Sequence, residues 1–377
     1  MNDTASVTRP SRLPDPLTQP VYRIDRSFEW NVEHGPCFDG PFPASSEPPM
    51  PEPPTTELFG LPVRSRFGIA ASLLLDARWL ELYSRLGFDL LTYKTVRRCA
   101  RIAHPWPNWR FLDEPEPDRL DDPDAALRVR ADAPADPLRA TPVGSIGMPS
   151  SAPEFWRADI ARCRARLAAG QVLIVSIVAT AEPAMTEDAF VGEFETLAGQ
   201  VRAAGAQIVE ANLSCPNVLR CEGEVYRAPA LAGRIATAVR RGAGDLPVLL
   251  KIGPIEDDAG MAALLQAVSG SADGVVMINA PSRRILDHAC APAFGTGRER
   301  AGVMGGQVHR LALDCVRRAV RLIGRDALGL EVIAVGGATS PARVQAFVDE
   351  GAYAVQAASS AAWDPYLALR VKQARRA

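Results

Sequence analysis

Eight short runs of β-branched and leucine-rich residues, separated mostly by amphipathic helical patterns, predict an α/β fold of the (β/α)8 TIM-barrel type. The runs are 66–71 (RFGIAA), 88–94 (FDLLTYK), 172–178 (VLIVSIV), 207–213 (QIVEANL), 247–252 (PVLLKI), 274–279 (GVVMIN), 331–335 (EVIAV) and 353–357 (YAVQA). Strands this apolar are covered on both faces. Helical patterns at 186–204, 226–241, 307–323 and 341–350 set polar residues against an apolar stripe. This alternation points to a closed barrel rather than an open doubly wound sheet.

The chain begins with a proline-rich stretch, residues 1–58 (RLPDPLTQP, PFPASSEPPMPEPP), that has no sustained period. It reads as an N-terminal arm, extended over the barrel or partly disordered, with Trp30, Phe38 and Phe42 as points of packing. The barrel is expected over 59–377. The gap after the second run, about 95–171, is too long for one helical crossover. Its acidic, proline-broken middle (DEPEPDRLDDPDAALRVRADAPADP) predicts an insertion lying over the barrel top. SSAPEFWRADIARCRARLAAG then restores a capped helix before the third run. A second long loop, 280–306, follows the sixth run and carries Gly295, Gly297, Gly302, Gly305 and Gly306. Loops after the C-terminal ends of strands build barrel active sites, so both excursions are expected to act as lids.

Composition excludes several functions. Of 377 residues 47% are hydrophobic, and 42 basic against 44 acidic side chains leave a net charge of −2, which argues against a nucleic-acid partner. No run reaches the roughly 18–20 apolar residues of a membrane span, and MNDTASVTRPSRLPDP lacks a secretory apolar region, so a cytoplasmic protein is expected. The seven cysteines (Cys37, Cys99, Cys163, Cys215, Cys221, Cys290, Cys315) show no metal or iron–sulfur spacing, and most read as buried small hydrophobes. Only Lys94, Lys251 and Lys372 are lysine; the other 39 basic residues are arginine. A lysine kept in such a chain marks a place for a compact ammonium. Lys94 and Lys251 end apolar runs, whereas Lys372, in VKQARRA, reads as surface.

Lys94, Asn212, Lys251 and Asn279 fall at the C-terminal ends of the second, fourth, fifth and sixth runs and should share one mouth. The seventh and eighth runs end in VGGATS (335–340) and VQAASS (355–360). Glycine pairs before a helix leave N–H groups open to an anion such as a phosphate, although the same pair also serves a tight turn. In ANLSCPNV (211–218), Asn212, Cys215 and Asn217 cluster around Pro216. A cysteine held there can act as acid, base or nucleophile, or be a buried loop residue. Cys221 has no such setting and reads as structural.

NLSCPN (212–217), LKIGP (250–254), VVMIN (275–279), GVMGGQVHRLAL (302–313) and AVGGATSPARVQAFVDEGAYAVQAASS (334–360) resemble the dihydroorotate dehydrogenase and dihydropyrimidine dehydrogenase superfamily of FMN-dependent barrels, in its soluble class 1-like form. The resemblance covers about 60–377. It implies Cys215 as the acid/base, with hydride passing to or from flavin N5 at a C–C bond next to a carbonyl. It implies Lys94 and Thr95 facing flavin and substrate, Ala70 and Ala71 along the ring, and Lys251 on the flavin or its ribityl chain. Gly305, Gly336, Gly337, Ala358 and Ser359 would surround the ribityl and phosphate groups. Asn212, Asn217 and Asn279 would hold the substrate, Asn212 and Asn279 binding the cofactor as well, with Gly147 and Met148 of the loop GSIGMPS (144–150) beside the substrate. A homodimer is implied, and an electron-transfer partner subunit is open.

Two departures bear on substrate. Gly144 stands where the family's NSMGLPN-like loop has asparagine, and Ala280 stands where Ser or Thr follows Asn279. The resemblance implies dihydroorotate or a related dihydropyrimidine-like substrate, and the two departures point away from dihydroorotate itself. Arg97, Arg98, Arg101 and His104 could bind an acidic group of a different substrate or form a solvated charge cluster. The alternative functions are a phosphate-binding lyase or aldolase using Lys251 as a Schiff base, a flavin-dependent uridine reductase acting on transfer RNA, and a non-catalytic binding barrel.

Overall fold

The computed structural model describes residues 13–42, 56–113, 117–214 and 224–375. Eight parallel strands close into a barrel: β1 (Phe67–Leu74), β2 (Leu90–Val96), β3 (Val172–Ile177), β4 (Ile208–Asn212), β5 (Val248–Ile252), β6 (Gly274–Met277), β7 (Glu331–Val335) and β8 (Ala354–Ala357). Each of the eight apolar runs supplies one strand. The barrel helices are α1 (Ala77–Arg85), α2 (Pro153–Arg166), α3 (Glu187–Ala204), α4 (Pro229–Ala243), α5 (Asp258–Val268), α6 (His309–Asp326), α7 (Pro341–Asp349) and α8 (Leu367–Ala374). The helix expected to be capped before β3 starts differently. α2 has no side-chain cap; Pro153 at its first turn, whose missing N–H costs nothing there, begins it.

Strand parity sorts the interior. Leu90, Val172, Ile174, Ile208, Leu249, Val276, Ile333, Val335 and Ala354 form one buried cluster inside the barrel, and Leu58 and Val63 of the hairpin Thr56–Leu58/Leu61–Val63 plug its lower end. Their neighbours Leu91, Leu173, Val175, Val209, Leu250 and Val275 belong to the outer cluster under the helices. Continuing the inward parity upward brings Thr92, Lys94, Ser176, Glu210, Asn212, Lys251 and Gln356 above the apolar layers. An apolar floor thus carries a polar mouth.

The two excursions do more than cover this mouth. Trp109–Phe111, Pro142–Gly144, Arg300–Val303, Ser282–Leu286 and Ala126–Arg128 pair, in that spatial order, into a separate five-stranded sheet. The arm is docked. Its helix Phe28–His34 is capped by Ser27 Oγ, which accepts from Trp30 N; Leu17 N donates to Trp363 O at 2.7 Å and Val21 N to Ala362 O at 2.8 Å. Val21 and Tyr22 are the buried anchors, whereas Trp30 stacks on His34 and Phe38 meets Phe42 edge-on and Tyr366 at a tilt.

Two sequence expectations are corrected here. Lys372 is buried: its ammonium lies 2.7 Å from Asp89 Oδ2 and donates to the Gly87 carbonyl, so it closes the α8 contact with the barrel floor. Of the five described cysteines only Cys163 and Cys315 are buried; Cys99 and Cys290 are exposed. Among the described residues no helix is long and apolar enough to cross a membrane.

Candidate active site

A cavity opens at the C-terminal ends of the strands. Ala71 and Ser72 of β1, Lys94 and Thr95 of β2, Asn212 of β4, Asn279 after β6, and Ala358 and Ser359 after β8 line it. The second sheet roofs it with Trp109, Gly144, Ile146, Met148, Gly302 and Met304, and the arm adds Tyr22 and Phe28. Ser72, next to the expected Ala71, is absent from the sequence reading of the site, and so are Tyr22, Phe28, Trp109, Ile146 and Met304 of the arm and the cap. Nothing local marks them, because the arm and the cap reach the mouth only through long-range pairing.

The polar groups are held by the frame. Asn212 Oδ1 accepts from Ser214 N at 3.1 Å, and its amide faces Met148 Sδ at 3.7 Å. Asn279 Oδ1 accepts from Ala280 N at 3.0 Å, and its amide donates to the Ser214 carbonyl. Both asparagines therefore position the start of the 212–217 loop. Cys215 and Asn217, like Cys221, lie outside the described residues.

Lys251 and Ala70 sit below the wall. Lys251 is 4% exposed and pairs in register with Asn212, and Ala70 is fully buried behind Ala71. Beneath Asn212, on the same inward stripe of β4, lies Glu210, fully buried; desolvation pushes its carboxyl above the usual range and the Lys251 ammonium pulls it back. Glu210 was also missed, though an acid inside QIVEANL, two residues before Asn212, was a readable signal.

Three glycines form a cradle. Gly305, Gly336 and Gly337 have φ of 85°, 128° and 70°. A Cβ on Gly336 would lie 2.8 Å from Ala312 Cβ, and one on Gly337 would lie 2.7 Å from His309 Cβ and 2.8 Å from its Cα and N. The β7 loop thus touches the start of α6, which has no side-chain cap. The short helix Ser359–Trp363 has none either. Arg343 Nη1 donates to the carbonyls of Gly306 at 2.6 Å and Gly337 at 3.5 Å, and burial lowers its guanidinium from the ordinary arginine range. Uncapped helix starts, bare glycine backbone and a nearby cation fit a phosphate, and the buried Lys251 fits a ring that gains negative charge.

The roof of the cavity is apolar. A Cβ on Gly144 would lie 2.9 Å from Met304 Cε, so Met304 fills the space that a side chain there would take. Gly147 (φ 85°) lies against the His104 ring, at 2.6 Å from an added Cβ, and is not on the cavity wall, while Met148 (φ 51°) is. The arginine cluster does not face the cavity. Arg97 is fully buried and donates to Met148 O, Ala179 O and Thr180 Oγ1, and Arg98 pairs with Glu182 and with Glu193 at 2.8 Å. Arg101 bridges to Ser150 through its backbone. His104 Nδ1 lies 3.2 Å from Ser145 Oγ, and burial, with Arg298 and Arg101 adding to it, lowers its pKa. Neither a substrate clamp nor a solvated patch describes Arg97; it straps the 144–150 loop to β2. Among the described residues no group of His, Cys, Asp or Glu could hold a metal ion.

A family model described as dihydroorotate dehydrogenase matches residues 138–374. A Dictyostelium discoideum protein named dihydroorotate dehydrogenase is 31% identical over 362 residues, covering 94% of this chain and 97% of its own. The catalytic subunit of dihydroorotate dehydrogenase B (NAD(+)) from Solidesulfovibrio magneticus is 33% identical over 183 residues, 48% of this chain and 57% of its own. A crystal structure from Eimeria tenella, DHODH in complex with ferulenol, shares the fold with a TM-score of 0.68 at 17% identity, covering 91% of this chain and 87% of that one.

Proposed function

The chain belongs to the dihydroorotate dehydrogenase family, and from that premise we propose that it is an FMN-dependent oxidoreductase acting on a CH–CH donor, dihydroorotate or a related dihydropyrimidine-like compound. The convergence of Lys94, Thr95, Asn212 and Asn279 on one cavity beside the glycine cradle carries this reading. The family's cofactor is a flavin, which when bound supplies the hydride acceptor.

Cys215 takes the proton from the carbon next to the substrate carbonyl; an ordinary thiol pKa of about 8.5 suits that transfer near neutral pH. Lys94 supplies a charge at the mouth, and Asn212 and Asn279 hold the loop that carries Cys215 and Asn217. The apolar roof of Trp109, Ile146 and Met304 excludes water and strengthens each of these interactions. Gly144 and Ala280 withhold two hydrogen bonds from a substrate's polar edge, each worth about 1–3 kcal/mol, which supports a substrate less polar there than dihydroorotate. The Schiff-base alternative has no such support, since the family match is to an oxidoreductase acting on a CH–CH donor. A homodimer with a separate electron-transfer subunit belongs to the same proposal; the catalytic-subunit name of the Solidesulfovibrio relative supports the second part.

The test is the visible spectrum of the purified protein, followed anaerobically by dihydroorotate and, separately, dihydrouracil. Bleaching of bound FMN by dihydroorotate identifies the substrate. FMN left oxidised by both supports a diverged substrate, and a protein that takes up no FMN overturns the reading. Cys215→Ser should fold and bind flavin yet lose most turnover near neutral pH; full activity would remove Cys215 as the base.

A further inference from the structure

We propose that Glu210 is a positioning residue for Lys251, the counter-charge that keeps this ammonium protonated inside the barrel so that it can hold negative charge on the cofactor. The cofactor half of this inference rests on the flavin reading above; the pairing itself does not.

Glu210 has no exposed surface, and the Ser176 hydroxyl is set against its carboxylate as a neutral hydrogen-bond donor. An ionised carboxylate in that state is costly unless an opposite charge faces it. The groups that face it are Ser176, in register from β3, and Lys251, from β5. Lys251 is in register with Asn212, one inward step above Glu210, so the two charges lie on adjacent strands one step apart within the polar layer. Thr95 Oγ1 donates to Ser176 Oγ at 3.0 Å, extending this layer across β2 to the cavity wall beside Lys94. The converse holds for the lysine. A buried ammonium without a counter-charge gives up its proton near neutral pH. Glu210 therefore has a function beyond filling space: it pins the charge of a residue that the cavity wall hides from solvent.

Two measurements on the full chain test this. In the apoprotein, Lys251→Met should lower the urea midpoint at neutral pH, with stability regained on acidification as the stranded Glu210 is protonated. Adding Glu210→Gln should cancel both the loss and its pH dependence. A double variant whose losses simply add would overturn the pairing, without reference to flavin. In the holoprotein, Glu210→Gln alone should weaken FMN binding at neutral pH by about tenfold, equivalent to one pKa unit of lost interaction. It should also lower the flavin midpoint potential, both being restored at lower pH where Lys251 regains its proton. Unchanged affinity and potential together with intact apoprotein coupling would refute the cofactor role of Glu210 while leaving the pairing standing.

Discussion

Lysine is almost absent from this protein, and where it persists it is covered. Lys251 and Lys372 are 4% and 6% exposed, and Lys94 is half-buried at the mouth. Surface positive charge is arginine: Arg234, Arg241 and Arg317 sit about half exposed beside Glu187, Glu195 and Glu350. Such exposed pairs contribute little stability, about 0–1 kcal/mol each, so their identity is free to drift, whereas a compact ammonium in a closed pocket is not replaced by a broad guanidinium. His104 is the titratable group to test in the cap. Its pKa is depressed from 6.5, so the folded state prefers the neutral ring; its contribution is complete above about pH 6.5 and fades as pH falls through the lower folded value. The difference in melting temperature between the protein and His104→Gln should therefore narrow from pH 7.5 to pH 5. His309, depressed in the same direction, is common to both proteins and cancels. A constant difference would disprove the assignment.

The elements that build the cradle are constrained by backbone rather than side chains. Gly337 and Gly270 have similar φ, 70° and 78°, but a Cβ on Gly337 meets the His309 backbone and one on Gly270 meets nothing within 4 Å. Gly270→Ala should cost only the left-handed backbone term, about 1–2 kcal/mol. Gly337→Ala adds overpacking at the start of α6 and should cost about 2–4 kcal/mol, with loss of FMN uptake. Urea unfolding of the two apoproteins separates the cases, and equal losses would show that the β7 loop yields freely. Among helix starts, α3, α5 and α7 have side-chain caps from Thr186, Asp257 and Ser340, whereas α4 and α6 have none. The 3-10 turn Gly306–Val308 leads into α6 and takes up the His309 N–H on the Gly306 carbonyl; that turn has no side-chain cap either, so the helix start open to an anion is its own, at Gly305 and Gly306.

Across the whole molecule, the arm and the two excursions turn an open barrel mouth into an enclosed one. Tyr22 packs with ring centroids 6.0 Å from Trp79 and 5.9 Å from Trp109, joining arm, barrel helix and cap in one aromatic seam. Removing residues 1–42 strips Val21 and Tyr22 from this seam and should destabilise the fold by about 4 kcal/mol, at roughly 2 kcal/mol for each buried side chain. The barrel itself should remain. The truncated protein should keep its far-UV spectrum, melt lower, and show red-shifted tryptophan emission as Trp79 and Trp109 meet water. Unshifted emission would mean that the arm is not what shields the seam.

Eight strands, their order and the meeting of Lys94, Asn212 and Asn279 at one mouth were legible without coordinates, because a strand covered on both faces leaves a continuous apolar run and parity along it places the polar residues; Lys251, expected at the same mouth, lies just below its wall. Local chemistry wrote that information: β-branching, alternation and the rarity of lysine and asparagine. The cap sheet, the docked arm, the burial of Lys372 and the burial of Arg97 away from the cavity wall were decided only by tertiary structure. Three-residue strands such as Trp109–Phe111 and Pro142–Gly144 carry no periodic signal, and they form because distant partners supply their hydrogen bonds. Lys372 looked like surface in a basic tail because nothing adjacent in sequence reveals Asp89, whose carboxylate reaches it only when α8 closes the barrel floor.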